Sequence, residues 1–599
     1  MNNFKEKADL IWKVADLLRG DYKQSDYGKV ILPLTVLRRL DCVLAPTKQK
    51  VLDYLPKIEK LKESAKDIAL NKVAGYNFHN KSQYNFDKLV AEPNDVSVNL
   101  RNFINGFSTS AREIIEYFNF DDQIDRMDDP KADILYRVIK KFQEIDLSDM
   151  DSMEMGYVFE ELIRKFAEQS NETAGEHFTP REVIKLMVNL LFNEDRTILT
   201  REGIVKTLYD PACGTGGMLS IGETYLKALN PKAELKVFGQ EINPESYAIC
   251  KSDMLIKGQN PSNIKFGNTF TVDGLEFDKF DYMLSNPPFG VDWKKAQKII
   301  TTEAEKKGMF GRFGAGLPRI NDGSLLFLQH MMSKMKPDGT RIAVVFNGSP
   351  LFTGAAESGE SNIRRWIIEN DWLEAVVGLP DQLFYNTGIS TYIWIVTNHK
   401  SDARRGKIQL INATGVKDEE LVKEGKLEFN RFWNKKDRSL GNKRKEISEN
   451  GNTKGIGFIT QLYGNFEENE FSKIYPNEFF GYSRITIEQP LKENDKIVTD
   501  RFGNPKPDPS LRDYENVAFL KKDSSGNLQP QNIEEYFESE VKPHVPDAWI
   551  DFNKTKTGYE INFTKYFYEF KPLRPLTDIK ADILALEEKT LESEKTILN

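Results

Sequence analysis

Residues 282–289 read Tyr-Met-Leu-Ser-Asn286-Pro287-Pro288-Phe289, a buried-strand pattern halted by two prolines. Each proline fixes φ and lacks an N–H, so the pair cannot continue a hydrogen-bonded ladder. The strand must stop at that point and give way to a rigid polar turn followed by an aromatic ring. Upstream, Thr207-Leu-Tyr-Asp210-Pro211-Ala-Cys-Gly214-Thr215-Gly216-Gly217 is a second strand cut short, here by a glycine turn, with a helix predicted from about Met218. A third strand, over 235–241, ends on Glu241. Further strands are predicted over 341–347, 373–379 and 391–397, with helices over 182–191 and 324–335. Strands alternating with helices through 151–400 mean a mostly parallel α/β sheet. Ligands of such sheets bind at the carboxyl ends of the strands, where all these turns fall.

The side chains at the turns carry a chemistry. The Asn286 amide oxygen and the Pro287 carbonyl can together accept both hydrogens of a planar exocyclic amine, and Phe289 offers a face for the attached ring. Glycines let the backbone approach a ligand closely, and the helix start presents unpaired N–H groups. A carboxylate at the end of the next strand commonly holds ribose hydroxyls. A lone Gly-x-Gly is as readily a structural turn. The ordered set of glycine loop, acid and Asn-Pro-Pro-Phe on strand ends points to a nucleoside cofactor beside an amine substrate.

This order and spelling resemble the class I S-adenosylmethionine-dependent amino-methyltransferases, specifically the N6-adenine DNA methyltransferases. The stretch Gly175-Glu176-His177-Phe178-Thr179-Pro180-Arg181 is similar to the family's methionine-moiety motif, and its place before the glycine loop is the arrangement of the γ group. The first 170 residues and the extreme C-terminus also resemble the modification (M) subunit of type I restriction–modification systems. The match is loose over 401–570. The resemblance implies a Rossmann-like catalytic domain and S-adenosyl-L-methionine as cofactor. It further implies double-stranded DNA as substrate and specificity (S) and restriction (R) subunits as partners, with two M per S. It carries cofactor contacts onto Glu176, His177, Phe178, Thr179, Pro180, Arg181, Asp210, Gly214, Thr215, Gly216, Gly217 and Glu241. Asn268, where the family more often has an acid, is assigned to the cofactor adenine. Asn286, Pro287, Pro288 and Phe289 form the catalytic set. Read without the resemblance, Phe178 is equally a core residue and Thr179-Pro180 a helix start. Asp281 and Tyr282 are expected to be structural.

The 599 residues suffice for several domains and a large core. Residues 1–150 are expected to be a helical domain, with apolar stripes over 10–18 and 31–44 and further helices over 98–107, 111–118 and 132–145. Arg38 and Arg39 are placed on a polar face. Residues 151–400 are the catalytic domain and 401–570 an extension of uncertain role, either part of that domain or a separate recognition module. The 3-4 spacing of Leu576, Ile579, Ile583, Leu586 and Thr590 predicts a C-terminal helix over 571–599 with a short coiled-coil seam, a contact for the specificity subunit.

Cys42, Cys213 and Cys250 show no pairing or metal spacing, and the five histidines are scattered, so no metal site is expected. The start is not a signal peptide and no apolar run of about 18 residues occurs, so a cytoplasmic protein without a membrane span is expected. A net charge of −8 is unusual for a chain that grips DNA. Trp293, Lys294, Lys295, Lys298, Lys306, Lys307, Arg312 and Phe313 form a local basic and aromatic patch, read either as a strand-gripping surface or as a solvated helix and loop. No P-loop or nuclease signature is present. Three rival readings stand beside the resemblance: a self-sufficient DNA methyltransferase, an enzyme methylating protein glutamine or RNA guanine, and an inactive scaffold.

Overall fold

The structure is a computed structural model and describes residues 3–129, 133–170, 179–385, 387–415, 431–440, 442–449, 451, 454–494, 496–568 and 575–598. From Asn3–Trp12 to Ser152–Ser170 the described elements are helices around one apolar core that includes Ile11, Leu18, Leu37, Phe86 and Phe103. Ala248, Ile249 and Leu255, from the helix Pro244–Ile256 of the following α/β region, enter the same core. Arg38 and Arg39 lie on the helix Gly28–Leu44, but not on the polar face where the sequence put them. Arg39 is buried and donates to the carbonyls of Leu147 and Met150, while Arg38 donates to those of Gln143 and Ile145. Carbonyls at and just past the end of the helix Ile134–Gln143 lack helical partners, and two guanidinium groups supply them.

A nine-stranded sheet forms the centre. Its strands are β1 (Val205–Asp210), β2 (Glu234–Glu241), β3 (Ile264–Phe266), β4 (Tyr282–Ser285), β5 (Arg341–Asn347), β6 (Leu373–Gly378), β7 (Thr391–Thr397), β8 (Lys407–Asn412) and β9 (Ser472–Pro476). Their spatial order is β9-β8-β6-β7-β5-β4-β1-β2-β3. The sheet is mixed: β7 runs against both its neighbours and β9 against β8, while the remaining pairings are parallel. Strand order reverses between β1 and β4, the position where a crevice opens in sheets of this kind.

Those two strands pair only at Leu208–Tyr282 and Tyr209–Met283. Side chains extend the junction. At its base the Asp281 carboxylate accepts from the Thr207 N–H at 3.0 Å and hydroxyl at 2.8 Å, and also pairs with Lys206 and Lys336. The Tyr282 hydroxyl donates to Asp195 at 2.7 Å. Both residues are therefore structural, as expected.

The segment after 401 begins as part of the same sheet, since β8 pairs with β6 and β9 with β8. The helix Gly455–Asn465 packs behind it. There Tyr463 meets a buried ion pair that spans the sheet, Arg341 of β5 with Glu374 of β6 at 2.5 Å. A smaller sheet follows, with Gly481–Glu488 flanked by Asp513–Ala518, Trp549–Ile550 and Lys556–Tyr559. The fully buried Arg364 ties it down by donating to the carbonyls of Tyr559, Pro350 and Thr353. Residues 562–599 make a second compact unit containing the helices Phe563–Tyr566 and Leu576–Leu598. No described helix is long and apolar enough to cross a membrane.

Replacing Arg341 with Met leaves Glu374, at 0% exposure, without its ion-pair partner and held by the Tyr463 hydroxyl. A loss of about 3–5 kcal/mol is expected in urea unfolding, largely recovered by adding Glu374→Leu. Unfolding of the single variant at the wild-type midpoint would show that the pair contributes nothing.

Candidate functional site

The glycine turn starts from a buried acid. Asp210 ends β1 at 1% exposure, and its Oδ1 accepts from the Ala212 N–H at 3.0 Å and the Ser285 hydroxyl at 2.9 Å. The second bond fastens the end of β4 to the end of β1. Burial pushes the Asp210 carboxyl up to about 7, with the nearby Glu241 adding to the rise. Gly214 and Gly216 adopt φ of +54° and +85°, which L side chains rarely tolerate. A Cβ on Gly216 would also fall 2.8 Å from Cys250 Sγ, so the turn packs directly on the neighbouring helix. The chain then enters the helix Gly217–Leu229, whose first two residues, Gly217 and Met218, border the same crevice.

Glu241 closes β2. Its Oε2 accepts from the Gly214 N–H at 2.8 Å, and Oε1 accepts from Ile242 at 2.9 Å and Asn243 at 2.7 Å. The carboxylate thereby holds the glycine turn in place, and burial raises its pKa. Past β3, the Asn268 Oδ1 accepts from the Phe270 N–H at 2.8 Å, and the Thr269 hydroxyl donates to the Pro211 carbonyl at 2.6 Å. Three successive turns are thus bound to one another.

At the end of β4, the Asn286 Nδ2 donates to Thr179 Oγ1 at 2.8 Å, which fixes the rotation of the amide. A cavity of about 480 Å³ opens among these turns. Of the residues singled out from sequence, Thr179, Asp210, Gly214, Thr215, Gly217, Glu241, Asn268, Asn286 and Pro288 line it. Others stand back. Pro287 is buried, Gly216 faces Cys250, and Pro180 is buried at the N-cap of the helix Arg181–Asn193. Arg181 is 4% exposed, paired with Glu160 at 2.6 Å and set over the Tyr157 ring. Phe289 is half-buried and edge-on to Phe384, with ring centroids 6.3 Å apart, and is not among the residues lining the cavity. Glu176, His177 and Phe178 lie outside the described residues.

Sequence reasoning missed several lining groups. Glu160, on the helix Ser152–Ser170, faces the cavity; burial raises its pKa against the pull of Arg181. Its only trace in the sequence is an acid beside the buried Val158, Phe159 and Leu162. Ile242, Phe270 and Phe327 supply apolar wall. The basic patch divides. Trp293 and Phe313 are buried, Trp293 lining the cavity, and Arg312 is held by Glu303 at 2.7 Å; the five lysines are exposed.

Among known families, residues 150–449 match the N-6 DNA Methylase profile and residues 8–142 the HsdM N-terminal domain. The type I restriction enzyme MjaIX methylase subunit of Methanocaldococcus jannaschii is 27% identical over 436 residues, 69% of this chain and 73% of that protein. The HindI methylase subunit of Haemophilus influenzae is 29% identical over 264 residues, 44% of this chain and 54% of the relative's length. A solved type I restriction-modification methyltransferase subunit from Streptococcus thermophilus shares the fold. Its TM-score is 0.60 at 22% identity, over 80% of this chain and 97% of that one.

An aspartate ordinarily titrates near 3.9, and Asp210 near 7 in the fold. The native state therefore holds a proton that the unfolded state has lost, and stability falls as pH rises from about 4 to about 7. Asp210→Asn should remove that part of the decline, seen as a flatter trend of urea midpoints between pH 5 and pH 8. Parallel trends for variant and wild type would contradict the burial argument.

Proposed function

The chain belongs to the N-6 DNA methylase family, whose members methylate adenine N6 in DNA, and within it to the methylase subunits of type I restriction enzymes; we propose that it transfers the methyl of S-adenosyl-L-methionine to an adenine swung out of the duplex. On this reading it is the modification subunit of a complex with a specificity subunit and a restriction subunit, two copies to each specificity subunit. The observation that carries the proposal is one cavity holding the Asn286 amide, the Asp210–Gly217 turn and Glu241.

The residues present suit that cofactor. The cavity lies within the roughly 300–1,000 Å³ usual for small-molecule sites. Four acidic side chains, Glu160, Asp210, Glu241 and Asp292, line it against the single lysine Lys295, matching a ligand with ammonium and sulfonium charge. Glu241 Oε2 takes one N–H and keeps an acceptor site for a ribose hydroxyl. Asn268 and the apolar Ile242 and Phe270 flank the place for an adenine ring, and Glu160 and Asp210 that for the cationic end. When bound, the cofactor supplies an electrophilic methyl on positively charged sulfur.

An adenine stacked in duplex DNA cannot reach the cavity, so it must flip at a cost of a few kcal/mol. Stacking on an aromatic ring returns about 1–3 kcal/mol, and Phe289, next to the lining Pro288 although not itself part of the wall, is the ring we assign. Because Asn286 Nδ2 is engaged by Thr179, its Oδ1 is the end that accepts one N6 hydrogen; the Pro287 carbonyl takes the other. Two acceptors localise the nitrogen lone pair and aim it, so alignment supplies most of the acceleration. The proton leaves after transfer, and no general base is required.

Asn286→Ala should keep cofactor affinity while methyl transfer drops about a hundred-fold or more. Thr179→Val should lower transfer about ten-fold, since it frees the amide to rotate. Tritiated methyl transfer to target DNA, with the specificity subunit present, measures both. Wild-type rates in Asn286→Ala would remove this residue from catalysis, and full activity of the chain by itself would remove the dependence on the specificity subunit.

A further inference from the structure

Between the diproline turn and the helix Ser324–Ser333 the chain builds an arm, residues 291–313, that the reaction chemistry leaves without a role. Its inner side has its own small core, in which Trp293, Ala296, Ile300 and Phe313 pack with Phe270 and Leu326. At its tip, Phe310 is 101% exposed and Met309 56%. A phenyl ring left wholly in water forgoes the burial that the arm's other aromatic residues obtain.

The tip is held in place rather than free. Gly311 N–H donates to the Gly308 carbonyl at 3.0 Å, and a Cβ on Gly314 would fall 2.1 Å from that same carbonyl oxygen, so the loop closes tightly on itself. Arg312, two residues on, binds Glu303 and donates to the carbonyls of Thr269 and Phe270 at 2.9 Å each. Both of those residues line the cavity. Two residues of chain span at most about 7 Å, so Phe310 stays near Arg312, on the arm whose base, Val291, Asp292, Trp293, Lys295 and Ala296, lines the cavity.

Charge selects the occupant. Lys294, Lys295, Lys298, Lys306 and Lys307 are exposed along the arm, and among the described residues none of the five forms an ion pair, although Asp292 and Glu305 are exposed nearby. On a chain of net charge −8, an unneutralised row of cations beside the cavity fits a polyanion. Apolar side chains such as Phe and Met enter gaps between base steps in bent or unstacked DNA. Resting on the adenine-flipping reading above, we propose that Phe310 fills the gap in the base stack left by the departing adenine, while the arm's lysines follow the phosphates.

The test uses the complete complex with its specificity subunit and DNA carrying 2-aminopurine at the target position. Phe310→Ala should leave the melting temperature and cofactor affinity unchanged, and weaken 2-aminopurine fluorescence. On matched DNA, methyl transfer should fall about ten-fold. Placing the target adenine opposite an abasic site should bring transfer back to within about two-fold of wild type, because an unpaired adenine leaves the duplex at lower cost. Phe310→Trp should retain activity. Normal flipping by the Ala variant, or a deficit that persists opposite an abasic site, overturns the proposal. So does failure of the variant to assemble, which would put Phe310 against protein instead of DNA. A wild-type complex that transfers no methyl to DNA takes down the underlying reading as well.

Discussion

One buried hydrogen bond, from the Ser285 hydroxyl to the Asp210 carboxylate, joins the two halves of the candidate site. The strands that end there pair through only two residue couples, so the sheet itself does little to hold their ends at a fixed separation. Asp281 fastens the junction at the bottom and Ser285 at the top. Between these clasps the carboxyl ends stay far enough apart for a cavity and close enough for one ligand to touch both turns. Glu241 then ties the glycine turn to the next strand. The geometry around Asn286 is thus inherited from a chain of short side-chain bonds spread across three strand ends.

The distribution of charge resolves the contradiction of a DNA enzyme with an acidic chain. Acids are concentrated inside the cavity, where Glu160, Asp210 and Glu241 sit in low dielectric with raised pKa values. The arm of residues 291–313 carries five exposed lysines, of which Lys295 lines the cavity. On the proposed reading a small positive ligand goes to the acids and a large negative one to the lysines, and the overall sum of −8 reports on neither.

Strands and turns of the site were legible because local chemistry dictates them. Prolines end β4, glycines with positive φ shape the turn after β1, and alternation of elements gives the sheet. What stayed hidden depends on contacts between distant parts of the chain. Arg39 reads as a surface residue of an amphipathic helix, yet carbonyls more than a hundred residues later draw it inward. Glu160 reaches the cavity from a helix that precedes every motif. Phe289 was legible as an aromatic beside the turn, but not its lean towards Phe384. The reversed direction of β7 left no mark in residue patterns either, because a strand buried on both faces is spelled alike in either direction.

The order in which the sheet is laid down imposes a sequence on its assembly. β6 is synthesised before β7, but β7 lies between β5 and β6. As the nascent chain emerges, β6 has no neighbour in the sheet until its successor β7 has been made and has doubled back antiparallel between it and β5. β8 and β9, later still in the chain, lie outward of β6. A ribosome must therefore move well beyond the last of the proposed chemistry-bearing turns before the growing edge of this sheet is closed to strangers.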